Sequence, residues 1–77
     1  MKLYGYSEGY REENNPTIHT LGEITLSANP EELQKIAKFL MKSASEIEKY
    51  GTDYEHKHLS DFDNFFSYKT DIIIASV

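Results

Sequence analysis

The chain has 77 residues, a net charge of −5 and no cysteine. That length gives a single domain over residues 1–77, burying only about 60 to 65% of the unfolded surface, and the missing cysteines exclude the disulfides and thiolate metal sites that brace many small domains. The acidity argues against a nucleic-acid partner, which needs a basic footprint to displace counterions, and the longest apolar run, Ile72 to Ala75, falls far short of the roughly 18 residues of a membrane span.

Met1-Lys2-Leu3-Tyr4-Gly5 is neither a basic leader nor a long apolar stretch, so the cytoplasm is the expected compartment. Leu3 to Tyr6 reads as a first strand, with aromatics at alternate positions. Ser7 to Pro16 gathers turn formers and reads as a polar loop. A second strand is expected from Ile18 to Ala28, where Ile24, Leu26 and Ala28 alternate with Glu23, Thr25 and Ser27. Gly22 is placed to form a bulge, because Leu21 has the opposite parity from Ile24.

Asn29 to Tyr50 carries the signals of one amphipathic helix. Asn29 can accept a hydrogen bond from a first-turn amide, Pro30 presets φ at the first helical position, and Glu31 and Glu32 face the positive end of the dipole. Glu32 also holds the capping-box position. Leu33, Ile36, Ala37, Leu40, Ala44 and Ile47 recur at helical spacing as the expected core stripe, with Lys35, Lys38, Lys42, Glu46 and Lys49 opposite. Phe39 lies about 120° from the centre of that stripe, either packed under the C-terminal segment or exposed for contact. Gly51 follows as the left-handed capping residue. Glu31 can pair with Lys35, and Glu46 with Lys42 or Lys49, which makes the lysine face a solvated one.

Beyond the helix, Tyr54 to Leu59 can form a short strand and Ser60 to Asn64 a turn. Asp71 to Val77 is a β-branched run of the kind covered on both faces. The helix covers one face, so the other meets the Phe62, Phe65, Phe66 and Tyr68 segment or a second copy of the chain. The order β-β-α-(β)-β predicts an α+β two-layer sandwich, one long helix on a small, mainly antiparallel sheet of three or four strands, with the last strand antiparallel beside the first.

Chemistry-bearing residues are densest between Asp53 and Asp63. His56 and His58 would point the same way on a strand, and with Asp61 or Asp63 they offer the residue types of a two-histidine, one-carboxylate metal site. The plainer reading is a solvated loop and edge strand, with His58 and Asp61 tying a turn by hydrogen bonds. His-x-His spacing is common and His19 is the one other histidine, so no metal and no cofactor is expected. Ser60 and His58 lie close in sequence but lack a defined third group, and the four glycines match no phosphate-binding spacing. The chain reads as a non-enzyme. Residues 51–77 carry five carboxylates against two lysines, an acidic region set against the lysine face of the helix.

The segments Met1-Lys2-Leu3-Tyr4-Gly5-Tyr6, Leu21-Gly22-Glu23-Ile24-Thr25-Leu26-Ser27-Ala28-Asn29-Pro30-Glu31-Glu32-Leu33, His56-Lys57-His58-Leu59-Ser60-Asp61-Phe62 and Asp71-Ile72-Ile73-Ile74 resemble small immunity proteins of bacterial polymorphic toxin systems. The likeness covers nearly the whole chain. The polar insertion Glu8 to Pro16 is longer than that family suggests. The resemblance implies a protein that binds a cognate toxin domain and blocks its active site or substrate channel. Asp53, Glu55, His56, His58, Asp61 and Asp63 are the expected partner-binding residues, with neighbouring aromatics as anchors. The alternative from another class is a homodimeric structural or regulatory protein whose aromatic sheet face is the self-interface.

Overall fold

The computed structural model describes residues 1–66 and 70–77. Its elements are β1 (Leu3–Gly5), β2 (His19–Leu21), the helix α1 (Pro30–Tyr50), β3 (Lys57–His58), a short helix α2 (Leu59–Phe62) and β4 (Ile73–Ile74), with 3-10 turns at Tyr10–Glu12, Gly51–Asp53 and Asn64–Phe66. One long helix with small antiparallel sheets is the α+β class expected. The strands are divided differently from the expectation, however. β1 pairs with β2, Leu3 opposite Leu21, and β3 pairs with β4, His58 opposite Ile73. The four strands thus form two separate two-stranded ladders, and the last strand lies beside β3 and not beside the first.

The helix begins where local rules place it. Asn29 is extended, its side chain accepts from the Glu32 amide at 2.9 Å, and the Glu32 carboxylate accepts from the Asn29 amide at 3.0 Å, a complete capping box ahead of Pro30. Its end is Gly51, whose amide donates to Ile47 and whose φ of 56° and ψ of −122° only glycine adopts freely.

The buried face of α1 departs from the expected stripe. Ile36, Phe39 and Ser43 are the buried helical residues, and the core joins Ile36, Phe39 (2% exposed) and Leu59 (1%) with half-buried Phe66, Ile72 and Ile74. Phe39 therefore packs beneath the C-terminal segment, its ring 5.4 Å from that of Phe62. The buried Ser43 hydroxyl donates to the Phe39 carbonyl at 2.9 Å, the return bond that lets a serine sit inside a helix. Leu33, Ala37, Leu40 and Ala44 face outward, with Leu33 44% and Leu40 45% exposed. The sheet that meets the helix is β3–β4, which approaches from one flank of the apolar arc and leaves the other uncovered.

The expected second strand is also shorter. Pairing stops at Leu21, the chain bends at Gly22, and residues 23–28 run on without a sheet partner, with Ile24 and Leu26 about half-exposed. The loop between β1 and β2 is more ordered than its polar composition suggests. Gly9 takes a φ of 84°, and the Tyr6 and Tyr10 rings stack at 4.6 Å. On the last strand Ile72 and Ile74 face the core while Ile73 is half-exposed, so β4 is covered on one face. Tyr68, expected against that strand, lies outside the described residues. No helix among the described residues is long and apolar enough to cross a membrane.

Candidate functional site

The segment after α1 is positioned from both sides. Gly51 turns the chain out of the helix, and the Tyr54 amide donates to the Gly51 carbonyl at 3.1 Å. The Tyr54 hydroxyl reaches across to donate to the Ile74 carbonyl at 3.1 Å, fixing the segment to β4. Asp53 and Glu55 are exposed, and with Glu46, Tyr50, Tyr54 and Lys57 they line an open depression of about 300 Å³. Tyr50 is half-exposed there, its ring 5.2 Å from Lys49 Nζ.

His56, just before β3, and His58, on it, lie together, ring centroids 5.3 Å apart and edge to face. Their environments differ. His56 is exposed, whereas His58 is half-buried with Nδ1 2.6 Å from Asp71 Oδ2. Asp71 also accepts from the Ser60 amide at 3.0 Å, the Ser60 hydroxyl at 3.0 Å and the Ile72 amide at 2.9 Å. Burial works to raise the Asp71 pKa, but these donors outweigh it and hold the carboxyl below its ordinary value. The partner of His58 is therefore Asp71, not Asp61.

Asp61 is exposed on α2. Asp63, two positions on, is half-buried: it accepts from the Phe65 amide at 3.0 Å and from Lys35 Nζ at 3.4 Å. The Phe65 amide is the larger cause of its lowered pKa, opposed by burial and aided by Lys35 and Lys38. Lys35 also lies 5.1 Å from the Phe65 ring. Lys35 is thus paired with Asp63 and not with Glu31, while Lys42 and Glu46 make the expected helical pair at 3.8 Å.

This geometry gives the six predicted residues two kinds of role. Asp53, Glu55, His56 and Asp61 are exposed; His58 and Asp63 are engaged in holding the fold. Ser60 donates its hydroxyl to a carboxylate of lowered pKa, a weak base, and His58 turns Nδ1 to that same carboxylate; Ser60 and His58 meet through Asp71 and not directly, unlike an activated serine. Among the described residues no group of three or more histidines and carboxylates is gathered closely enough to hold a metal ion. The sequence reading missed Asp71 and Tyr50. Asp71 could have been suspected from its place as the one charge at the head of an apolar β-branched run, where an acid needs a partner to lie against a core.

Residues 23–74, more than half of the chain, match the family model described as immunity protein 32. No curated protein and no solved structure matches the chain significantly. The matched span starts in the unpaired segment after β2, continues through α1 and the Asp53 to Asp63 segment, and ends at Ile74. It omits the β1–β2 hairpin.

Proposed function

We propose that this chain, which belongs to the immunity protein 32 family, binds a cognate bacterial toxin domain through its acidic segment and neutralises it by covering the active site or substrate channel. One observation carries the reading. Asp53, Glu55 and Asp61 are exposed and enter no ion pair among the described residues, while Tyr50, Phe62 and Phe65 stand half-exposed on the same stretch of chain. Carboxylates with no internal cation present an open negative field, which speeds encounter with a basic surface and selects against acidic ones. Half-exposed aromatics on a fixed backbone supply large contact area at little entropic cost, as interface anchors do. His56 sits beside them as a polar contact, and His58 and Asp63 hold the segment in shape. The action is binding and not catalysis, in the bacterial cytoplasm, without a cofactor and without a nucleic-acid or membrane partner.

The test uses a toxin domain found beside this chain's gene, and a gene neighbourhood without one favours the homodimeric alternative. Reversing Asp53, Glu55 and Asp61 together to lysine weakens inhibition by about tenfold or more and flattens its dependence on salt, as loss of electrostatic steering requires. Unchanged inhibition by a folded triple variant overturns the acidic-surface reading. Capture of the toxin from its source cell, identified by mass spectrometry, tests the pairing itself. A chain with this little core is also a candidate for self-association, and that interaction would use a different surface.

A further inference from the structure

We propose that the Gly22–Ala28 segment is an open β-strand that pairs antiparallel with the same segment of a second copy, centred on Thr25. The paired strands are then covered by the Leu33, Ala37, Leu40 and Ala44 faces of the two α1 helices. Two independent observations carry this.

The first is area. The chain exposes 6734 Å², whereas a compact monomer of its 8.9 kDa mass exposes about 4,800 Å² by surface scaling. Its radius of gyration is 13.4 Å against about 11.5 Å for a compact chain of this length. The excess, about 1,900 Å² per copy by that same scaling, exceeds the roughly 800 Å² each partner gives to a standard interface. It is also apolar where it matters. Ile24, Leu26, Leu33, Leu40 and Met41 are all 44% exposed or more, beyond the scattered apolar exposure of an ordinary monomer surface.

The second is self-complementarity. Residues 23–28 form no helix, turn or ladder and alternate apolar with polar, and their amides and carbonyls make no hydrogen bond among the described residues. Such a segment is a template for strand addition. Centring a two-fold axis on Thr25 sets Gly22 opposite Ala28, Glu23 opposite Ser27, Ile24 opposite Leu26 and Thr25 opposite itself. Every residue of the segment is then paired, apolar meets apolar on one face, and no charge faces its like. A shift by one residue sets Ile24 opposite Ser27 and mixes the faces. The apolar face of this ribbon needs a cover, and the exposed helical stripe begins at Leu33, five residues beyond Ala28 in the chain. Lys35 and Lys42 are already paired with Asp63 and Glu46 and point away from the stripe, so dimerisation buries no lone lysine from that face.

Light scattering on the full chain reads the outcome directly, with about 18 kDa for a pair, twice the 8.9 kDa chain. Leu40→Asp and Thr25→Pro each return it to the monomer mass with helical circular dichroism retained, since neither side chain lies in the core. The absence of native cysteine permits a second, register-specific readout. Thr25→Cys, facing itself across the axis, forms an inter-chain disulfide on mild oxidation, whereas Ser27→Cys, facing Glu23, does not. A monomer at millimolar concentration overturns the proposal and leaves the face to a heterologous protein. A dimer that survives both Leu40→Asp and Thr25→Pro, or cross-links at residue 27 and not at 25, overturns it as well.

Discussion

His58 Nδ1 lies 2.6 Å from Asp71 Oδ2, joining β3 to the head of the last strand across 13 positions of sequence. The ionised carboxylate can only accept, so Nδ1 carries the proton, and Ser60 and Ile72 complete the set of donors. Replacing Asp71 by asparagine removes the charge while keeping the shape. Hydrogen bonds to a charged group contribute about 1.5 to 3 kcal/mol each way of counting, so a loss near 2 kcal/mol at neutral pH is expected in urea unfolding.

The same carboxylate sets an acid limb. The folded Asp71 pKa lies below the ordinary value, taken as about 3.9 for the unfolded chain. Its contribution is therefore complete above that value and disappears as pH falls through the folded pKa. Urea midpoints measured from neutral pH into acid will fall more steeply for the natural chain than for Asp71→Asn. Parallel curves would remove Asp71 from the account of acid unfolding.

The orientation of α1 makes a sharp prediction within a single turn. Phe39→Ala empties a site 2% exposed and should cost about 3 to 5 kcal/mol, enough to unfold a small domain. Ala37→Ser, on the exposed flank, should stay within about 0.5 kcal/mol. Thermal melts followed by circular dichroism separate the two, and the order is reversed if the Leu33, Ala37, Leu40 stripe is the true core face.

At the start of the helix, Asn29→Ala removes the side-chain acceptor of the Glu32 amide and leaves the residue 29 amide bonded to the Glu32 carboxylate. A loss of about 1 kcal/mol is expected, read as a lowering of the melting midpoint by about 4 to 8 °C. Asn29→Asp retains the acceptor and should recover most of it.

Asp63 offers a test by carboxyl NMR titration. Replacing Lys35 with methionine should raise the Asp63 pKa only part of the way to normal, because the Phe65 amide is the larger cause of its depression. Stability should change little, because solvent screens an ion pair between partly exposed side chains.

These residues also show which parts of the fold were legible in the sequence. The helix and its start were, because Asn29, Pro30 and Glu32 satisfy each other within four positions. Which apolar arc of the helix is buried was not: Leu33, Ala37 and Leu40 adjoin Ile36, Phe39 and Ser43 on the cylinder, and the choice is made by where α2 and β4 arrive. Alternation from Glu23 to Ala28 is silent about a partner, so a strand was expected as far as Ala28 where pairing ends at Leu21. The candidate site was legible as composition, in the density of carboxylates, histidines and aromatics from Asp53 to Asp63. What separated His58 and Asp63 from their exposed neighbours was long-range, through Asp71 and Lys35, and no local pattern encodes a bond across 13 or 28 positions.

Gly51 sits between the scaffold and the acidic segment with a φ of 56° and ψ of −122°, and an added Cβ there would meet no neighbouring atom within 4 Å. Any penalty for another residue is therefore purely torsional, a strain on the backbone that leads from the helix into Asp53 and Glu55. Under the proposed acidic-surface binding, substitutions at this position would score among the interface hits of a genetic screen for lost toxin protection while removing no side chain that a partner could touch. A map of protection against sequence would thus mark a pivot as though it were a contact.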